Sequence, residues 1–189
     1  MVDGVDRDGV PMAYAMHFGF TAIAELLAGR GAKLDLRFAA GLGRLELVKS
    51  FFSADGSLKR DAGSLADPYG LERKQRGQSP FRCQRTRQNV LSQSLYFACV
   101  HKRLDVADFL LAQGANINAM VPGLDSRATV LHRIASMDAR EDVIRFLLAR
   151  GADPEVRDEE YHATPADWAR YHKRDEIANL LESRTLSGG

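Results

Sequence analysis

Cysteine is nearly missing from this chain: only Cys83 and Cys99 occur in 189 residues. Two thiols exclude the disulfide framework on which small secreted domains rely, so a reducing cytoplasm is the expected setting. Long apolar runs are missing as well. The longest, such as Leu95 to Val100, fall far short of the roughly 20 residues that cross a bilayer, and no membrane association is expected. The opening Met1-Val-Asp-Gly-Val-Asp-Arg-Asp is acidic and has no apolar core of a secretory signal. Aromatic residues make up only 8% of the chain, with a single tryptophan, against 45% hydrophobic content rich in Ala and Leu. That balance fits one helical body rather than several domains.

The signatures of catalysis are missing too. There is no Gly-x-Ser-x-Gly elbow, no phosphate-cradling glycine loop and no dinucleotide fingerprint, and Gly41-Leu-Gly43 reads as part of a helix turn. The five histidines, His17, His101, His132, His162 and His172, show no His-x-x-x-His or His-Glu-x-x-His spacing. Cys99-Val-His101 offers two ligands where structural zinc takes four. Cys83 lies among arginines that favour its thiolate, but reactivity is not catalysis, and Cys99 sits at a small-residue helix position as a buried filler. No catalytic residue, metal or cofactor is therefore expected, and the chain is not read as an enzyme.

What the chain does have is an internal repeat. Asp105-Val-Ala-Asp-Phe-Leu-Leu-Ala-Gln-Gly-Ala-Asn-Ile-Asn118 is nearly restated by Asp142-Val-Ile-Arg-Phe-Leu-Leu-Ala-Arg-Gly-Ala-Asp-Pro-Glu155. Aligned on one apolar position, Ile23, Leu47, Val106, Val143 and Ile177 mark five units at intervals of 24, 59, 37 and 34 residues. A period near 33 means that each unit stacks on its neighbours to bury its apolar face. Thr129 and Thr164 are placed to cap helices, with Pro165 at the first turn, where a missing N–H costs nothing. Apolar residues at i, i+3 and i+4, as in Val143, Phe146 and Leu147, predict a core stripe on the second helix of each unit. Gly31, Gly114 and Gly151 follow where the helix must end in a positive φ.

Position by position the units resemble the ankyrin repeat. The resemblance is carried by Asp8-Gly-Val-Pro-Met-Ala-Tyr-Ala15, Ala39-Ala-Gly-Leu-Gly-Arg-Leu-Glu-Leu-Val48, Ala98-Cys-Val-His-Lys-Arg-Leu-Asp-Val-Ala107, Thr129-Val-Leu-His132 and Thr164-Pro-Ala-Asp-Trp-Ala169. It implies an all-α ankyrin-repeat solenoid, one domain over 1–189, with helix-turn-helix units at about 8–35, 36–58, 90–118, 125–157 and 159–183 and an insertion loop at 59–89. The composition and the look of the repeats resemble bacterial ankyrin proteins. Departures are Val130 for the family's Pro, Ala13, Tyr96 and Asp167 for its His, and a second unit without the Thr-Pro-Leu-His start. By the resemblance His132 hydrogen-bonds between neighbouring turns, and Trp168 packs in the core of the last unit.

The insertion is where charge concentrates. Between 59 and 89 eight basic residues face three acidic ones, a net +5, which leaves −4 for the rest of a chain whose formal total is +1. Clustered Arg and Lys suit phosphates or acidic partners, but Pro68, Gly70, Gly77, Ser79 and Pro80 mark a polar loop, and the solvated-loop reading is the stronger. Only Tyr69 and Phe81 interleave, too few for a base-stacking platform. Residues 79–91 either fold across the finger loops and complete a groove or fill the gap beside a short second unit.

The resemblance places binding on finger loops and on a concave face lined by first helices. The concave candidates are His17, Phe18, Leu42, His101, Met137, Tyr171 and His172; the finger candidates are Leu124, Asp125, Arg127, Glu160, Tyr161 and His162. Tyr171, Tyr161, Met137 and Arg127 are the sharpest, since aromatic, Met and Arg side chains anchor interfaces. A protein partner is expected, with nucleic acid or another anionic ligand on 59–89 as the alternative. Met12, Tyr14, Met16, Phe18 and Phe20 form an apolar group at the first unit, which suggests a monomer or a weak dimer through that unit.

Overall fold

The structure, a computed structural model, describes residues 10–63, 76–77, 84–122, 127–138 and 140–185. Its helices are α1 (Val10–His17), α2 (Thr21–Gly29), α3 (Leu36–Gly41), α4 (Leu45–Ser50), α5 (Arg87–Val100), α6 (Leu104–Ala112), α7 (Val130–Ala135), α8 (Glu141–Ala149), α9 (Pro165–Tyr171) and α10 (Asp175–Thr185). A 3₁₀ turn at Arg60–Ala62 and one antiparallel bridge, Phe52 to Leu58, are the other regular features among the described residues. The helices pair as hairpins, and four of the tight corners are made by a residue with positive φ: Gly19 (73°), Gly43 (72°), Lys102 (56°) and Lys173 (59°). Gly31, Gly114 and Gly151 close the second helices at φ of 87–89°, as their placement in the repeat predicts.

One side of each second helix is core. Ala24, Val48, Ala107, Ile144 and Ala178 are all fully buried, and three residues on, Phe51, Leu110, Leu147 and Leu181 are buried as well. The true register lies one residue after the position that marks the repeat in sequence. Val106 and Val143 are buried, but Ile23 and Leu47 are exposed and Ile177 is half-buried. An i, i+3, i+4 stripe has two candidate leading positions, and only the packing neighbours decide which of them faces inward.

The chain forms two compact units: Met1–Ala115 with Pro122–Asp125, and Asn116–Val121 with Ser126–Gly189. In the first, α5 is the centre. Every residue from Val90 to Val100 is buried, the pattern of a helix covered on all sides. Phe97 stacks on Phe38 of α3 at 6.2 Å, and Phe109 of α6 meets Phe52 edge-on at 5.5 Å. Gly41 lets the elements come this close: a Cβ there would lie 2.4 Å from the Met16 sulfur and 3.3 Å from Phe97. The polar residues of α5 are satisfied inside, Ser94 donating to the Val90 carbonyl at 2.7 Å and Gln93 to the Pro122 carbonyl at 2.6 Å.

The second hairpin lacks a Thr-Pro-Leu-His start and uses a buried ion pair in its place. Asp35 caps α3 by accepting from the amides of Arg37 and Phe38. The Arg37 guanidinium donates to both Asp35 oxygens and, from its far nitrogen, to Gln93 Oε1 at 3.1 Å. Asp35 and Arg37 are both buried, and the guanidinium also lies 4.7 Å from the Phe38 ring centre. Such a pair balances desolvation only when every donor and acceptor is matched, which the bridge to Gln93 helps to do.

The insertion is pinned at both ends. Gly63 lies directly on Asp35, and Arg85 reaches back to donate to the carbonyls of Gly63 (2.5 Å) and Arg60 (3.2 Å). Arg87 donates to the carbonyls of Gly56 (3.1 Å) and Gln113 (2.7 Å), and Lys59 to that of Ser50 (2.7 Å). The segment is therefore shorter than 59–89. Thr86 caps α5, accepting from the Asn89 amide at 3.1 Å, so residues 87–89 belong to the third hairpin. Residues 78–83, on which the groove-covering reading rests, lie outside the described residues, and 87–91 are part of α5.

Two glycines make opposite predictions. At Gly63, with φ +109°, a Cβ would fall 2.5 Å from buried Asp35, so Gly63→Ala lowers stability by about 2 kcal/mol or more. Gly29 ends α2 with nothing within 4 Å of its added Cβ, so Gly29→Ala raises stability by about 0.5–1 kcal/mol. Urea unfolding of the two variants, read by helix circular dichroism, measures both signs.

Candidate partner-binding surface

In the second unit, two first helices open on capping boxes. Thr129 accepts from the His132 amide and Thr164 from the Asp167 amide, and the side chains of His132 and Asp167 reach back to the cap residues. His132 is fully buried and links two hairpins. Its Nδ1 accepts from the Thr129 amide (3.3 Å) and its Nε2 donates to the Ala163 carbonyl (3.0 Å), which assigns the neutral Nε2–H tautomer. The hydrogen bond between turns implied by the resemblance is present.

The carbonyl that His132 holds belongs to a finger built on Asp158. This buried carboxylate accepts from the amides of Glu160 (2.9 Å), Tyr161 (2.6 Å) and Ala163 (3.1 Å) and from the Trp168 indole N–H (3.0 Å). The Asp158 amide donates to the Ala163 carbonyl at 2.9 Å, and Arg157 donates to the His162 carbonyl at 2.8 Å. With His162 in the left-handed region at φ 53°, the tip 159–162 is locked and turned outward. Arg127 sits beside it: its carbonyl accepts from the Glu159 amide at 3.0 Å, and its Nε pairs with the Glu159 carboxylate at 3.0 Å. Trp168 is half-buried, edge-on to His132 at 5.6 Å, so it is a strut of the finger as well as a packing residue.

The candidate residues divide sharply. Arg127, Glu160, Tyr161, His162, Tyr171 and His172 are exposed, Tyr161 by 68% and Tyr171 by 85%, and the Tyr171 and His172 rings meet edge-on at 5.3 Å. Met137 is half-buried. Phe18 is exposed beside Tyr14, ring centres 4.5 Å apart. Leu124 and Asp125 lie outside the described residues.

His17, Leu42 and His101 are corrections: all three are buried. His17 Nδ1 and the Tyr96 hydroxyl hydrogen-bond at 2.9 Å, while His101 hydrogen-bonds to Thr21 Oγ1 at 2.8 Å and to the Met16 carbonyl at 3.0 Å. The two histidines fasten α5 and its C-terminal corner to the first hairpin, and none of the three is exposed to a partner as expected. Asp158, Asp35 and Arg37 were not singled out in sequence, although an Asp ahead of a turn or a helix start is the usual cap signal.

Ionisation follows this geometry. Burial pushes the Cys99 thiol up to about 12, which leaves it an inert filler. Burial also lowers the pKa of His132, against the opposing pull of the Ala163 carbonyl and of Asp158 and Asp167. Burial raises that of Asp158, but its hydrogen bonds outweigh this and hold it below the usual value; the Thr164 amide and hydroxyl lower that of Asp167. Among the described residues no group of three or more His, Cys, Asp or Glu is arranged to hold a metal ion, and no helix is long and apolar enough to cross a membrane.

Residues 95–185 match the family model for ankyrin repeats, in three copies. Over that segment the chain consists of ankyrin repeats. Its first two hairpins precede the matched segment, yet they repeat the same helix, positive-φ corner and helix. No curated protein matches the chain. Ankyrin repeats generally mediate protein–protein interaction, so protein partners are implied as a class.

The His132 and Asp158 linkage predicts acid sensitivity in two windows. His132 has a folded pKa below its unfolded value near 6.5, so its neutral form stabilises the fold above that pH, and this contribution is lost as pH falls below about 6.5. Asp158 and Asp167, also lowered, add a second loss beginning below about 3.8. Asp158→Asn replaces a carboxylate that accepts four donors with a group accepting fewer, and costs about 2 kcal/mol. Trp168, the only tryptophan, reports it: the variant shows altered fluorescence and a lowered thermal midpoint.

Proposed function

We propose that this protein docks a polypeptide partner through the finger at Glu159–His162 with Arg127 and through the end of α9 at Tyr171 and His172, without catalysing a reaction, in a reducing cytoplasm. The observation that carries this reading is the Asp158 clamp, which holds Tyr161 two-thirds exposed on a locked turn. An aromatic side chain displayed on rigid backbone loses little entropy when covered, and such residues dominate interface energetics. Tyr171 has the same character, and half-buried Met137 adds adaptable apolar surface.

The alternative, nucleic acid or an anionic ligand on the basic insertion, loses support from the described part of that segment. Arg85, Arg87 and Lys59 donate to the protein's own carbonyls, which leaves them poorly placed for phosphates.

Affinity capture from cell lysate at low and moderate salt tests the reading. The Tyr161→Ala/Tyr171→Ala variant is expected to lose at least about tenfold of the retained partner with no change in thermal midpoint. His17→Ala is expected to lower the midpoint instead, by removing the imidazole to which the buried Tyr96 hydroxyl hydrogen-bonds. Equal retention by the double variant overturns the proposal. Recovery of nucleic acid alone, lost at moderate salt, favours the basic insertion.

A further inference from the structure

The first and third hairpins superpose in sequence at a constant offset of 83 residues. Thr21–Gly29 maps onto Leu104–Ala112, Gly19 onto Lys102, and Gly31 onto Gly114, with matching positive φ at both corners. In this register Tyr14, Phe20, Ile23 and Leu26 correspond to Phe97, Arg103, Val106 and Phe109. Three of those four reach back to the preceding hairpin: Phe97 stacks on Phe38, Arg103 lies against Gly43 and donates to the Gly41 carbonyl at 3.4 Å, and Phe109 meets Phe52. The fourth, Val106, is fully buried. Their counterparts in the first hairpin are open: Tyr14 is 40% exposed, Phe20 47%, Ile23 50% and Leu26 54%. Met12 and Met16, expected to share this face, are fully buried, with the Met16 sulfur against Gly41 of the second hairpin.

We propose that this face, Tyr14, Phe20, Ile23 and Leu26, pairs with the same face of a second copy of the chain. The face has the chemistry of an inter-repeat contact, apolar and aromatic, and a helix pair of the same kind is the surface that matches it. None of its four residues is charged, and on α2 the nearby Glu25 carboxylate is taken by Arg44 at 2.8 Å. Like faces therefore meet without like-charge repulsion or a stranded ion, the self-complementarity that a two-fold interface requires. The last hairpin instead presents the exposed Arg170–Glu182 ion pair and exposed Glu176, a poor cover for Leu26, so head-to-tail joining is disfavoured. The open apolar area is on the order of a few hundred Å², near the upper range for a monomer and below the roughly 800 Å² per partner of a standard interface. The pairing is accordingly weak, in the micromolar to millimolar range, and it is independent of the finger docking proposed above.

Sedimentation equilibrium of the full chain from about 1 µM to about 1 mM tests this. The mass is expected to rise with concentration from 20.9 kDa towards, and not beyond, twice that value. Leu26→Glu and, separately, Ile23→Glu are expected to weaken the association at least about tenfold with unchanged helix content, because both side chains are half in water already. A constant monomer mass across the range overturns the proposal, as does association that both variants leave intact. A ladder of masses beyond two copies also overturns it, in favour of head-to-tail contact.

Discussion

A hairpin of two short helices cannot cover its own apolar stripe, and almost everything in this protein follows from how that stripe is covered. Most of these helices are only six to nine residues long, well below the length at which isolated helices hold together in water. Burial against a neighbouring hairpin must supply the difference. Ala24, Val48, Ala107, Ile144 and Ala178 are small or branched residues at the same place in successive second helices, and all are excluded from water. Small side chains there let the helices approach closely, and Gly41 serves the same end at the start of the second corner.

Apolar stacking is permissive about register, and polar contacts remove that freedom. In the second unit His132 and Asp158 do so jointly: one holds the Ala163 carbonyl and the other holds the amides around it. In the first unit Asp35 and Arg37 take this part, tied to α5 through Gln93. Both solutions place a satisfied polar group where a slipped neighbour would strand it, at a cost of about 1–3 kcal/mol for each group left unpaired. The fold thus uses two different side-chain chemistries for one geometric task, and the ion pair is found where the Thr-Pro-Leu-His start is missing.

The repeat, the helical hairpins, the threonine caps and the closing glycines were legible in the sequence because each depends on a local signal: periodicity, a hydroxyl before a helix, or a positive φ. The role of His132 came through the family resemblance, and its two hydrogen bonds agree with it. Two things were not legible. The core register of the second helix was displaced by one residue, since Ile23 and Ala24 fit an amphipathic stripe equally well until a neighbour is placed against it. The exposure of His17, Leu42 and His101 was misjudged because the residue after a first helix points outward or inward according to what lies opposite, and opposite them lie Tyr96, Thr21 and the core around α5.

That same position in the last hairpin carries Tyr171 and His172, and there both are open to solvent. One place in the repeat therefore serves two ends: in the first unit it contributes hydrogen-bonded histidines to the interior, and in the second an aromatic pair to the surface. What separates the two outcomes is the buried helix α5. Its eleven consecutive covered residues need partners on every side, and the corners of the adjacent hairpins supply them. Of the candidate residues among those described, all the exposed ones except Phe18 lie in the second unit, where the finger built on Asp158 is also found.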